Sequence, residues 1–340
     1  MSGHPQRDGF VLVVVLVFAL LLAASVATFA RRAVVDAMIV RNRDAAARAE
    51  ALARGGLRLA TALLIEDRLQ EQIGADGEFR SESGADVWAT ARALPIETDA
   101  GDTLRLEIYD AGARLNLNAL FENGEPIDEG IDAMLDAILE RVIDAMPGRP
   151  EEKFYDRPAL VRNLIDYIDA DEASPTGERE EAVRIQPPYR TANRPLLSLD
   201  ELRQVEGFDA ALVEALRPYV TVYPYVGGGG INPNTADPHV LSLLYLCEAT
   251  GSCRLATESD VRDVLRARQD ETLLCATGEG EACTAISEVI PLEILPAPAY
   301  ESDVFTVRAR ATAAGIARTL EAVVDRTDPS QSTLLAWQLH

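Results

Sequence analysis

The chain has 340 residues, with 32 Lys+Arg against 55 Asp+Glu and a formal net charge of −23. At 48% apolar and 26% charged it is globular in composition, which excludes wholesale disorder, and its length suits one large domain or two ordinary ones. The acidic balance argues against nucleic-acid binding, because phosphate contacts need a basic stripe with counterions to release.

Residues 10–30 read FVLVVVLVFALLLAASVATFA, 21 residues without a charge. As a helix this run spans roughly the 30 Å hydrocarbon core of a bilayer. Arg7 and Asp8 precede it, and Arg31 and Arg32 close it. An ordinary secretory signal would be followed by a cleavage site and a loop-like mature start. Here the next stretch has no proline, and Val34, Val35, Met38 and Ile39, then Ala45, Ala49, Leu52, Leu57, Ala60 and Leu64, recur at helical spacing. One helix is expected from the membrane to about Gly55 or beyond, apolar all round at first and amphipathic later.

Further along, Leu104, Leu106 and Ile108 alternate with polar residues in a strand over 102–109, and 114–117 reads as a short second strand. Residues 304–311 alternate again, Ala314-Gly315 turns the chain, and 316–325 returns as a strand. These strands are expected to form one antiparallel sheet with its apolar face on the N-terminal helix. Between them lies a helical block. Helices are expected over 131–146 and 157–168, the latter with Pro158 in its first turn. Ser198-Leu-Asp-Glu201 reads as a capping box opening a helix that ends at Gly207, Asp209 caps the next, and Glu258 to Arg268 forms another.

The short hydrophilic start, the Gly9-Phe10 pair and the apolar run resemble the type IV pilin and pseudopilin N-terminus. That resemblance implies cleavage by a prepilin peptidase after Gly9 and methylation of Phe10. It also exposes a departure: the fifth mature residue, usually glutamate, is Val14 here. Among pseudopilins that absence resembles the minor pseudopilin K family of type II secretion. Further stretches resemble the same family in order: Arg114-Leu-Asn-Leu-Asn118, Leu164-Ile-Asp-Tyr-Ile-Asp-Ala-Asp171, Pro187-Pro-Tyr-Arg190, Leu199-Asp-Glu-Leu202, Ile231-Asn-Pro-Asn-Thr-Ala236 and the closing hairpin.

The resemblance implies an α+β fold, a long transmembrane helix on a small antiparallel pseudopilin sheet with a large inserted helical domain. The division expected is a leader (1–9), a transmembrane segment (10–30), an amphipathic helix and first core strands (31–117), a helical insertion (118–218), a return to the core with disulfide-tied loops and a hairpin (219–327), and a tail (328–340). It further implies a non-enzymatic tip subunit of the pseudopilus in the bacterial inner membrane, with a periplasmic C-terminal domain. Its partners would be minor pseudopilins I, J and H and the inner-membrane secretion platform. Arg31 and Arg32 would then lie on the translocated side, against the positive-inside tendency.

Two other classes compete. LDELRQVEGFDAALVEAL resembles a helix-hairpin-helix, which would make the chain a membrane-anchored, competence-type DNA receptor. Asp209, however, stands where the phosphate-facing glycine belongs. For an enzyme, the three histidines (His4, His239, His340) sit in no catalytic motif. Cys247, Cys253, Cys275 and Cys283 read as two disulfides in an oxidising periplasm. Local pairing is favoured among three connectivities, and the spacings are wider than those of a zinc knuckle. Asp169-Ala-Asp-Glu172 resembles the start of an EF-hand loop, but Ser174 replaces its glycine. Calcium is implied by the family resemblance alone, with Glu248, Glu258, Asp260, Glu301 and Asp303 as candidate ligands.

Overall fold

The computed structural model describes residues 8–73, 81–90, 95–146, 154–171, 191–269, 273–277, 283–328 and 331–340. Helix α1 (Asp8–Ile73) is unbroken for 66 residues, about 100 Å at 1.5 Å per residue. It passes through Gly55 and Gly56 because the second glycine marks the point of closest approach to the sheet. A Cβ on Gly56 would lie 2.9 Å from Leu104 Cδ1 and 3.0 Å from Ala309 Cβ, whereas one on Gly55 would meet open space. Ala45, Ala49, Ala53, Ala60 and Leu64 fall on the same face and are buried. These small side chains let the helix lie close against the strands.

After α2 (Val87–Thr90) come β1 (Ile96–Glu97) and β2 (Thr103–Asp110), then the short β3 (Leu115–Asn116), β4 (Phe121–Glu122) and β5 (Glu125–Pro126). Helices α3 (Ile131–Ala145), α4 (Arg157–Ile168) and α5 (Ala210–Leu216) follow, then β6 (Val220–Thr221), α6 (Pro238–Leu241), β7 (Tyr245–Cys247) and β8 (Cys253–Leu255). Next are α7 (Glu258–Gln269), β9 (Leu273–Cys275), β10 (Cys283–Ala285), α8 (Ile286–Val289) and β11 (Glu293–Leu295). The chain closes with β12 (Val304–Ala313), β13 (Ile316–Asp325) and β14 (Thr333–Leu339).

The main sheet has the order β1-β2-β12-β13-β14, with every pair antiparallel. Ile108 stands opposite Val307 and Leu106 opposite Ala309. With Phe305, Trp88 and Leu320 they form an apolar core beneath α1. The β12–β13 turn places both Ala314 (φ 46) and Gly315 (φ 83) in the left-handed region, as a two-residue hairpin turn with matching twist requires. A fold with the sheet against the long helix and a helical insertion agrees with the sequence reading.

Three local expectations fail. The segment around Arg114–Leu117 does not join the sheet: β3 pairs in parallel with β6. The Asp110 carboxylate accepts from Gly112 N–H at 2.7 Å and turns the chain away from β2 through the 3-10 turn Ala111–Ala113. Residues 333–339, read as tail, form β14 on the edge of the sheet. The capping box at Ser198 is not made: Leu199–Gln204 is a 3-10 helix without a side-chain cap. There the Glu201 carboxylate accepts from Arg194 at 3.2 Å and from Leu197 N–H at 3.4 Å, not from Ser198 N–H. Asp209 does cap α5, accepting from Leu212 N–H at 2.8 Å.

A second and larger apolar core runs from Leu115 to Ile294. The stripe Ile131, Met134, Leu135, Ile138, Leu139 and Val142 of α3 is buried in it, and residues beyond Pro218, including Val220, Leu241 and Leu246, belong to it as well.

Candidate functional site

The first half of α1 is bare. No residue of its most apolar 18-residue window is buried, and Phe10 and Phe29 are 73% and 75% exposed. The helix is long and apolar enough to cross a membrane. Val14 lies on this bare stretch, five residues into the chain counted from Phe10.

The other end of α1 is locked by one side chain that the sequence reading missed. Arg326, just past β13, is fully buried. Its Nη1 donates to Asp67 at 2.8 Å and to the Leu64 carbonyl at 3.1 Å. Its Nη2 bonds Glu82, its Nε reaches the Ser302 carbonyl at 3.3 Å, and its guanidinium lies 4.5 Å from the Phe305 ring centre. Glu82 also accepts from Trp88 Nε1 at 2.9 Å. Helix, sheet and the 81–90 segment therefore meet on one cation. Asp67, Glu82 and Asp86 bring three carboxylates within 4.8 Å of one another. Arg326 supplies the counter-charge there, and the Ser83 N–H and hydroxyl bond Asp86. Sequence spacing offers no cue to this cluster, whose members lie up to 259 residues apart.

The asparagine-rich stretches act as pegs that satisfy buried backbone. Asn118 accepts from Leu196 N–H at 2.8 Å and donates to the carbonyls of Leu196 at 2.9 Å and Val222 at 2.8 Å. Asn116 donates to the Pro224 carbonyl at 2.8 Å. Asn234 exchanges two bonds of 2.9 Å with Leu274. Asn232 and Thr235 donate to Asp110 at 3.1 and 2.5 Å, joining the helical body to the end of β2. Burial raises the Asp110 carboxyl above its ordinary value, and these donors with Ser302 and Gly112 partly offset that.

The cysteines pair locally, Cys247 with Cys253 and Cys275 with Cys283, across β7–β8 and β9–β10. The five acids proposed for calcium do not gather. Asp260 accepts from Thr257 N–H at 2.8 Å while Thr257 Oγ1 accepts from Asp260 N–H at 3.3 Å, a capping box on α7. Asp260 also pairs with Arg254 at 2.7 Å. Burial alone would raise its carboxyl, but the Arg254 and Thr257 bonds hold it below the ordinary value. Asp303 pairs with Arg68 at 3.0 Å, and Glu248 accepts from Thr250 at 3.2 Å. Glu258 starts α7, and Glu301 is exposed before β12. Among the described residues none of the five joins a group of three close ligands.

The helix-hairpin-helix segment faces inward. Gly207 (φ 91) packs so closely that a Cβ would sit 2.6 Å from Leu160 Cδ2. Phe208 is buried, and the Asp209 carboxylate takes Leu212 N–H and Tyr155 Oη. The hairpin is a packing device.

This architecture, one long helix half bare and half laid on an antiparallel sheet that carries a helical body, is shared with a solved structure. A chain of "The Crystal Structure of the GspK-GspI-GspJ complex from enterotoxigenic Escherichia coli Type 2 Secretion System" superposes with a TM-score of 0.59 at 20% identity, covering 88% of this chain and 99% of that one. It establishes the fold. The family model "Type II secretion system (T2SS), protein K" matches residues 113–225. Type II secretion system protein K of Klebsiella pneumoniae is 31% identical over 71% of this chain and 70% of its own length. The same-named proteins of Pectobacterium carotovorum subsp. carotovorum and Pseudomonas aeruginosa are 32% and 30% identical, over 50% and 57% of this chain. Those two matches span a little over half the relatives' length, 56% and 54%. The chain belongs to the type II secretion system protein K family.

Proposed function

We propose that this chain is a minor pseudopilin at the tip of the type II secretion pseudopilus, initiating or capping its assembly for export of folded proteins across the outer membrane. The observation that carries this reading is the two-part α1, whose bare apolar half suits lateral packing with other membrane helices while its second half carries a folded head. The helical body on that head is too bulky for regular stacking along a filament. Val14 also offers no carboxylate to the N-terminal amine of a subunit above it, and an unpaired charge in an apolar setting is costly. Membership of the protein K family supports the same role.

In this reading the leader is cut after Gly9 by the prepilin peptidase, Phe10 is methylated, residues 10–30 span the inner membrane, and the folded part is periplasmic. The two disulfides agree with an oxidising compartment. The partners are pseudopilins I and J, by analogy with the GspK-GspI-GspJ complex, and pseudopilin H and the inner-membrane platform by the family resemblance. The role needs no catalytic centre and no nucleic acid. Calcium is not built into it, because Asp260 and Asp303 are committed to arginines.

Labelled antibody against the helical body should decorate a single end of overproduced pseudopili, and mass spectrometry should find a mature chain beginning at methylated Phe10. Decoration along the filament would overturn the tip role. A start near Ala27 to Ala30 would overturn the pilin-type anchor.

A further inference from the structure

A cavity of about 950 Å³ lies where the end of β2 meets the helical body, a volume in the range of small-molecule sites. Trp88, Val240 and Leu273 contribute apolar wall, and Arg114, Asp237 and Arg268 contribute charge. Asp110 also lines it, but its carboxylate is occupied by Gly112, Asn232 and Thr235.

The two arginines are unusual for this molecule. Acids outnumber cations 55 to 32, and many arginines of the body, such as Arg157, Arg203, Arg217 and Arg254, have found a carboxylate. Arg114 and Arg268 are half-buried on the same cavity, and neither forms an ion pair among the described residues. Arg268 donates Nε to the Pro233 carbonyl and Nη1 to the Ala236 carbonyl at 2.9 Å, but its Nη2 is buried without a hydrogen-bond partner among the described residues. A buried guanidinium N–H left unpaired costs free energy that a bound anion would recover. Burial pushes Arg268 down to about 10 and lowers Arg114 as well, with Asp237 acting the other way on both. Asp110 and Asp237 also line the cavity, but neither forms an ion pair with Arg114 or Arg268 among the described residues.

We propose that this cavity binds an organic carboxylate with an attached apolar group, its anionic end held by Arg114 and Arg268 and its apolar part against Trp88. That chemistry is shared by a free small carboxylate and by the C-terminal carboxylate of a peptide ending in an apolar residue. Asn116, Asn118, Asn232 and Asn234 are engaged by the fold, whereas the Arg114 side chain has no hydrogen bond or ion pair among the described residues.

Trp88 reports on the site. The chain has two tryptophans, so in a Trp337→Phe background the emission of full-length protein in detergent micelles comes from Trp88. Benzoate and acetyl-Gly-Gly-Phe with a free carboxylate are titrated beside benzamide and the corresponding peptide amide. A saturable response to either acid, with both amides silent and binding about tenfold weaker in Arg114→Gln, supports the proposal, and the tighter acid identifies the source. Arg114→Gln breaks no side-chain hydrogen bond or ion pair among the described residues, so it separates binding from folding; Arg268→Gln is the second arm and should weaken binding similarly. No response up to about 10 mM, equal response to the amides, or binding unchanged in both variants would overturn it.

Discussion

The sheet region and the helical body solve the same problem in different ways. Under α1 the backbone is satisfied by long ladders, β12 alone pairing over its whole length with β13, so the core there can be built from alanines that bring helix and sheet close. Among the described residues the helical body has only two- and three-residue strands. Its core is rich in Leu, Ile and Val, and its irregular backbone is satisfied by asparagine side chains and tied by two disulfides. Where regular structure is long, register does the organising. Where it is short, individual polar side chains must do it, and each becomes hard to replace.

The largest effect is expected at Arg326, the fully buried cation that joins α1 to the sheet. Arg326→Met would leave Asp67 and Glu82 buried without their partner and should cost about 4 kcal/mol, read as a lower denaturation midpoint of the full chain in micelles. Adding Asp67→Asn and Glu82→Gln to that variant should recover part of the loss. If the single variant is as stable as the parent, the latch is ornamental.

Next comes the helical body. Asn118→Ala removes three short bonds and strands the Leu196 and Val222 carbonyls, for a cost of about 3 kcal/mol. Hydrogen exchange should quicken across α3 to α5 while β12 and β13 keep their protection. Equal loss in both regions would mean that the two cores unfold as one unit.

Two neighbouring glycines sharpen the account of close packing. Gly56→Ala pushes a methyl against Leu104 and Ala309 and should destabilise by about 1 kcal/mol despite its better helix propensity. Gly55→Ala, facing open space, should instead stabilise by up to about 1 kcal/mol. Thermal melts of the pair distinguish a tight crossing from a loose one.

The smallest effect carries a pH signature. Asp260→Asn weakens the cap of α7, at about 1 kcal/mol near neutrality. The folded carboxyl titrates below its ordinary 3.8. Its contribution is therefore complete above that value and fades as pH falls through the lower folded one. The stability gap between parent and variant, measured by urea unfolding, should close below about pH 4. A gap that widens on acidification would mean that the bonds to Arg254 and Thr257 do not favour the charged form.

Much of this was legible without coordinates. The charge-free run from Phe10 to Ala30, the alternation in β2, β12 and β13, the α3 stripe and the Asp209 cap are local patterns, and local patterns follow from side-chain periodicity and backbone chemistry. The close spacing within each cysteine pair was similarly readable. What sequence could not decide is which distant groups share a place. Ser198-x-x-Glu201 has the letters of a capping box and makes none, its glutamate bonding Arg194 and Leu197 N–H, while Thr257-x-x-Asp260 makes one with an aspartate that the family resemblance offers to calcium. Residues 333–339 add a strand on the free edge of β13, whereas the turn made by Asp110 and Gly112 carries Arg114–Leu117 off the sheet to pair with β6. Arg326 and the Arg114–Arg268 cavity are likewise products of the assembled fold. Helix and strand periods are set by nearest neighbours, but ion partners, free edges and cavities depend on the chain as a whole, so only the tertiary structure decided them.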